Sequence, residues 1–236
     1  MTQEPPPPPP PPGPPPPPPP PPMSGAPGGG AAFSVGDAIS YGWTAYWKNV
    51  GPMVLITLVI FVVQFLISIV GSGTNGVIAR VVLQMLSFVV GIVLAMGLIR
   101  ASLAVCEGRT PEVSMLLETD GFFNYLVAAI LFGIAVFVGL VLCIIPGIIL
   151  AVVFQYFGFA IVQHPELGAV DALKRSAEIT KGYRWQLFGL ALLLMLINFV
   201  GLLACLVGLL FTYGISAIAI AYAYKTLSGQ AVAAPA

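Results

Sequence analysis

Arg80 and Gln84 lie four residues apart in a long apolar run, one helical turn on a single face. Gln155 and Asn198 are polar side chains in two later apolar runs. In hydrocarbon such groups either hydrogen-bond between helices or line a polar path or a lipid-headgroup site. A second candidate group is basic and aromatic: Lys174, Arg175, Lys181, Arg184 and Trp185, all within one short stretch. Cations flanking an indole suit the layer where lipid headgroups meet water, or the surface of a protein partner.

Catalytic chemistry finds less material. His164 is the only histidine, has no second His or Cys at metal-ligand spacing, and reads as a helix cap. Ser216 has no histidine in any apolar run to activate it, and no apolar run holds an Asp or Glu for a carboxylate pair. The glycine-rich stretch from Gly71 to Gly76 lacks the following lysine of a phosphate loop. Cys106, Cys143 and Cys205 are odd in number and show no CxxC spacing, so neither a disulfide nor a metal is expected. The formal net charge is zero and the cations do not cluster into a DNA-sized patch, which argues against nucleic acid. The expectation is a protein that is not an enzyme and carries no cofactor.

What must position these residues is a set of membrane helices. The chain is 58% hydrophobic and only 8% charged, against about 25% charged in soluble domains. Its mean hydropathy is +0.98. Residues 1–32 form a Pro/Gly-rich tail whose run from Pro5 to Pro22 suits polyproline II and would reach roughly 56 Å. Lacking a basic start and an apolar core, it does not read as a signal peptide. It is expected to be disordered, with a docking arm for a cytoplasmic protein partner as its functional reading.

Ser34 to Lys48 is amphipathic, opens on a capping-box pattern of Ser34 and Asp37, and repeats Ile39, Trp43, Tyr46 and Trp47 at helical spacing. Membrane spans are expected at Val50–Val70, Val77–Ile99, Phe122–Ile145 and Ile148–Val162. Two more share Leu187–Leu227, with a turn between Gly201 and Gly208. Pro146-Gly147 is read as the turn between spans three and four. Arg80 does not prevent insertion. It costs about 3 kcal/mol at mid-bilayer, whereas the Leu, Ile, Val and Phe of its span contribute on the order of −4 to −8 kcal/mol.

Pro111–Thr119 reads as a second, shorter interfacial helix, and Pro165–Lys181 as the third. In the third, Pro165 suits the first helical position and Gly182 the residue past the end. Asp171–Arg175 and Lys174–Glu178 are i,i+4 pairs on its polar face.

The fold class is therefore all-α integral membrane: six spans as three hairpins, each preceded by a cytoplasmic-side amphipathic helix. Residues 33–228 make the membrane domain and 229–236 a short C-terminal tail. With the N-terminus inside, eight of the nine cations lie on the cytoplasmic side and only Arg80 outside, which satisfies the positive-inside rule.

The run from Gly168 to Trp185 (GAVDALKRSAEITKGYRW), with Pro146-Gly147 upstream, resembles the signature of a bacterial six-helix membrane superfamily. That superfamily includes the membrane domain fused to some glycerophosphoryl diester phosphodiesterases. The proline-rich tail is similar to that of actinobacterial proline- and glycine-rich transmembrane proteins. The charge distribution places both termini on the cytoplasmic side, and the resemblance implies the six-helix fold in a bacterial cell membrane. The resemblance implies no activity, since that family has no established one, and with no phosphodiesterase domain present that catalysis does not carry over. The expected function is a non-enzymatic membrane-organising protein that contacts lipids or a partner. The alternative is a small transporter or channel-like carrier, for which Arg80, Gln84, Gln155 and Asn198 must converge on one polar path.

Overall fold

A computed structural model describes residues 33–73, 76–204 and 207–235. The tail over residues 1–32 lies outside these, and so does the expectation of disorder placed on it. The described residues are helical, without strands: α1 (Val35–Lys48), α2 (Val50–Ser72), α3 (Val77–Cys106), α4 (Phe122–Leu142), α5 (Ile144–Phe154), α6 (Phe157–Gln163), α7 (Ala169–Ile179), α8 (Arg184–Leu203) and α9 (Val207–Leu227). Taking α5 and α6 as one broken span, six helices are long and apolar enough to cross a membrane. α3 has 30 residues and a length of about 45 Å, half as long again as a ~30 Å hydrocarbon core. Its last ten residues, from Gly97 to Cys106, belong to a packed protein interior.

Each span lies against its neighbour in the chain: α2 on α3, α4 on α5, and α8 on α9. At the end where these pairs turn, glycines let backbones meet. A Cβ on Gly139 would stand 2.8 Å from the Gly147 Cα, and one on Gly208 2.4 Å from the Gly201 carbonyl. Large apolar side chains here face outward, among them Phe65, Ile78, Phe137, Leu142, Met195 and Leu203. We call this the open end.

At the opposite, packed end, the three segments read as amphipathic each bury a face against the second span of the preceding pair. α1 packs on α9, the segment before α4 on α3, and α7 on α6, so the first segment closes on the last pair. Three hydrophobic clusters follow. One gathers Ala38, Tyr41 and Tyr46 of α1. Another gathers Ala169 and Ala172 of α7, and the third gathers Leu116 with Ile56, Leu98 and Ala101. Contact is again made through small residues. A Cβ on Gly42 of α1 would stand 2.8 Å from the Ile215 carbonyl, and one on Gly97 of α3 2.5 Å from the Leu116 Cα.

Several sequence expectations need correction. Pro146-Gly147 is not the turn between spans: the chain turns at the extended Cys143, and Pro146 sits in the first turn of α5. A proline is tolerated there because its missing N–H has no helical partner anyway. Gly147 instead supplies the close contact with α4. The Pro111–Thr119 helix reduces to a 3-10 turn, Val113–Leu116, with Leu116 buried and Leu117 exposed. The third amphipathic helix begins at Ala169 rather than Pro165, with Gly168 as its N-cap. It ends at Ile179, two residues before the expected Lys181, and Gly182 takes the positive φ of 91° in the turn that follows. On α1 the buried face runs through Ala38, Tyr41, Gly42 and Ala45 to Tyr46, while Trp43 and Trp47 remain exposed. Residues 229–235 are strapped across this end: the Ala233 N–H donates to the Cys106 carbonyl at 2.8 Å, and the Tyr41 hydroxyl to the Ala233 carbonyl at 3.0 Å.

Candidate functional site

The fourth span is interrupted at Gln155–Tyr156, which frees backbone groups that a membrane helix normally satisfies internally. α7 supplies the replacements. The Ser176 hydroxyl accepts from the Tyr156 N–H at 3.1 Å and donates to the Val153 carbonyl at 2.8 Å. Thr180 donates to the same carbonyl at 3.3 Å. Ser176 and Thr180 are fully buried, so the amphipathic helix is keyed into the break by its own polar side chains.

This docking decides where the basic and aromatic candidates point. Lys174 pairs with Asp171 at 3.3 Å, in place of the two i,i+4 pairs expected on that face. Arg175 is half-buried and faces Tyr224. Lys181, Arg184 and Trp185 follow the helix on an exposed rim, with the indole 86% exposed. Of the five candidates, those three form an open cationic and aromatic patch.

At the packed end, a cavity of about 570 Å³ is lined by the ends of α3 and α6, the loop after α3 and the C-terminal strap. Arg100 pairs with Glu118 at 3.3 Å and donates to the backbone carbonyls of Glu118 and Asp120. Glu107 accepts from Lys225 at 3.2 Å and from the Arg109 Nε at 3.2 Å. Tyr224 and Gln230 both donate to Gln163. Partial burial pushes the Glu107 carboxyl up, but the hydrogen bonds and charges of Arg109 and Lys225 outweigh it and hold the group below its ordinary value. Lys225 is only 4% exposed, and such a charge is tolerable because its carboxylate is in place. Every one of these charges is answered by an opposite one: Lys225–Glu107 fastens α9 to the end of α3, and Arg100–Glu118 fastens α3 to the loop that follows it. The sequence carries no hint of it: Glu107 and Lys225 are 118 positions apart.

The membrane polar residues do not converge. Arg80 and Gln84 line a cavity of about 550 Å³ between α2 and α3 at the open end, facing Gln64, Ser68 and Ser72. Asn198 lies elsewhere, donating to the Ser216 hydroxyl of α9 at 2.7 Å and to the Leu194 carbonyl at 2.8 Å. Gln155 sits at the break of the fourth span, its amide nitrogen buried without a hydrogen-bond partner. A single polar path through all four is thus corrected to one pair in a groove, one interhelical bond and one residue at a helix break. The separation arises because the four side chains belong to three different helix pairs.

Residues 33–235 match the family described as "Domain of unknown function (DUF7847)", and the chain belongs to it. It is 30% identical to the uncharacterized protein Rv2560 of Mycobacterium tuberculosis, over 86% of this chain and 71% of that protein. The uncharacterized protein Mb2590 of Mycobacterium bovis is similar to the same extent. No solved structure matches.

Proposed function

We propose that this member of the family is a non-enzymatic, multi-pass protein of the bacterial cell membrane, with both termini cytoplasmic, that organises lipids or a partner at its packed end. The observation that carries the reading is the segregation of charge. Arg100, Glu107, Arg109 and Lys225 are engaged in ion pairs with one another or with Glu118, whereas Lys181, Arg184 and Trp185 are left on the rim. A tryptophan and two cations at a span entrance suit anionic headgroups, each cation being worth about 1 kcal/mol near such a surface. The hairpin arrangement, and the resemblance to the membrane domain of glycerophosphoryl diester phosphodiesterases, belong to this reading. So does a role for the proline-rich tail as the arm that reaches a cytoplasmic partner.

The test is crosslinking in native membranes with the full chain, with a chain lacking residues 1–30, and with a Lys181→Gln/Arg184→Gln/Trp185→Ala variant. One discrete protein captured by the full chain and lost on removal of the tail supports the partner reading. Lipid capture that falls in the triple variant supports the lipid reading. Capture unchanged in both variants would sink the proposal.

A further inference from the structure

α1 buries one face and leaves an aromatic pair outside it. Ala38, Tyr41, Gly42, Ala45 and Tyr46 pack inward, whereas Trp43 is 55% and Trp47 47% exposed. The two indoles stand one helical turn apart and meet edge to face, with centroids 5.7 Å apart and planes at 68°. Trp47 is braced from behind by stacking on Phe211 of α9, also at 5.7 Å, and by an edge contact with Tyr46. Among the described residues neither indole N–H makes a hydrogen bond.

A pair of apolar rings that carries donors and no acceptors is matched by a ligand that is apolar and rich in acceptors. Proline is such a residue, since its ring packs on an aromatic face and its backbone has a carbonyl but no N–H. In polyproline II the backbone has no internal hydrogen bonds, so the carbonyls are available to outside donors. Aromatic-lined surfaces recognise these segments at small entropic cost, because the extended helix is preformed.

The chain supplies such a segment itself. From Pro5 to Pro22 every residue but Gly13 is proline. The run joins the helical body at Phe33, which is buried and edge-on to Tyr183 at 6.3 Å, two residues before α1 begins. Ten residues, 23–32, lie between Pro22 and Phe33, and four of them are glycine. A glycine-rich chain of that length has a root-mean-square span of about 17 Å. Trp43 is eight residues along α1 from Val35, a distance of about 12 Å. The linker is therefore long enough to reverse the chain and bring the end of the proline run to the indoles.

We infer that the proline run docks back on its own α1, its rings against Trp43 and Trp47 and its carbonyls accepting from the two indole N–H groups. The tether sets an effective concentration in the millimolar range, so a contact too weak to form between separate molecules is populated within one. This goes beyond the partner reading of the tail and does not depend on it. A partner for the run would have to compete with α1.

The experiment uses the purified chain, one copy per phosphatidylcholine nanodisc, with Trp185→Phe so that fluorescence reports Trp43 and Trp47 alone. Quenching by acrylamide is compared in the full-length chain, a chain lacking residues 2–22, and a chain whose residues 5–22 are replaced by alternating Gly and Ser. Neither tail change touches the helical body, so misfolding does not shield the inference. Each is expected to raise the quenching constant about twofold, the release of a site half-filled at millimolar effective concentration. Trp185, observed alone in a Trp43→Phe/Trp47→Phe chain, is expected to be indifferent to the tail. Quenching of Trp43 and Trp47 unchanged by either tail variant would overturn the inference. Protection by the Gly/Ser tail equal to that by proline, or equal protection of Trp185, would do the same. So would strong quenching of Trp43 and Trp47 by brominated acyl chains with the tail in place, which would mean that lipid covers the pair.

Discussion

The two ends of the six-span body solve different problems. At the open end α2 buries no residue after Ile60 and α3 none before Ile92, and Phe65, Ile78, Phe137, Leu142 and Met195 face outward. In hydrocarbon this costs nothing, because lipid tails are as apolar as the side chains and give helices no hydrophobic reason to associate. At the packed end, α1, α7 and the turn at Leu116 fill the gaps between pairs with buried side chains and hydrogen bonds. The difference teaches that membrane spans alone do not set this tertiary structure. The short amphipathic segments do, by bridging pairs at one end and leaving room between helices at the other.

That contrast breaks most readily at Gly97. A side chain there has to displace the Leu116 backbone, so Gly97→Leu is expected to cost 3 kcal/mol or more, about the upper range for overpacking. Gly133, with nothing within 4 Å of a Cβ, is the matched site among the outward-facing residues. Gly133→Leu is expected to cost nothing and to stabilise by up to about 0.8 kcal/mol through helix propensity. Denaturant-induced unfolding in detergent micelles compares the two. A similar cost at both sites would remove the distinction between the ends.

Next in size is the keying of α7. Ser176→Ala with Thr180→Val leaves the Tyr156 N–H and the Val153 carbonyl buried without partners, at about 2–4 kcal/mol for the pair. Protease susceptibility of the 163–184 segment is expected to rise together with that loss. Rise without destabilisation would mean α7 is peripheral.

Glu107→Gln is expected to cost about 2 kcal/mol, less than a wholly buried pair, because a third of the Glu107 side chain is exposed. The sign of the pH dependence follows from its lowered pKa. The stabilisation is present above the ordinary glutamate value and is lost as pH falls through the folded value, so the window lies below about pH 4.3. Melting temperatures on acidification are expected to fall less steeply in Glu107→Gln than in the wild type. Parallel profiles would show that the Lys225 pair contributes nothing. Smallest of all, Trp185→Ala is expected to leave stability within about 0.5 kcal/mol, since the indole is a rim residue.

Spans were legible because an apolar run long enough to cross a bilayer is a one-dimensional signal. Val50, Val77, Phe122 and Leu227 stand at helix ends as expected. The Gly182 stop on α7 was legible for a similar reason, a local backbone demand. Pro146 misled because a proline that punctuates a chain is equally at home in the first turn of a helix. The start of α7 was read early because Pro165 fits a first helical position, while Gly168, the true N-cap, carries no side chain to announce itself. At the candidate sites, Arg80 and Gln84 were paired correctly by their four-residue spacing. Gln155 and Asn198 could not be placed, because nothing in the sequence orders one helix pair against another. The Glu107–Lys225 fastening and the stripe facing Arg80 depend on long-range packing that no local pattern encodes.

The central claim, that the pairs are fastened at one end and separate at the other, is tested most directly by pulsed electron–electron distance measurements in nanodiscs. In a background with Cys106, Cys143 and Cys205 replaced, spin labels at exposed Glu112 and Glu166 would report the packed end, and labels at exposed Ser72 and Leu142 the open end. A narrow distance distribution is expected for the first pair and a broad one for the second. Equally narrow distributions at both ends would contradict it.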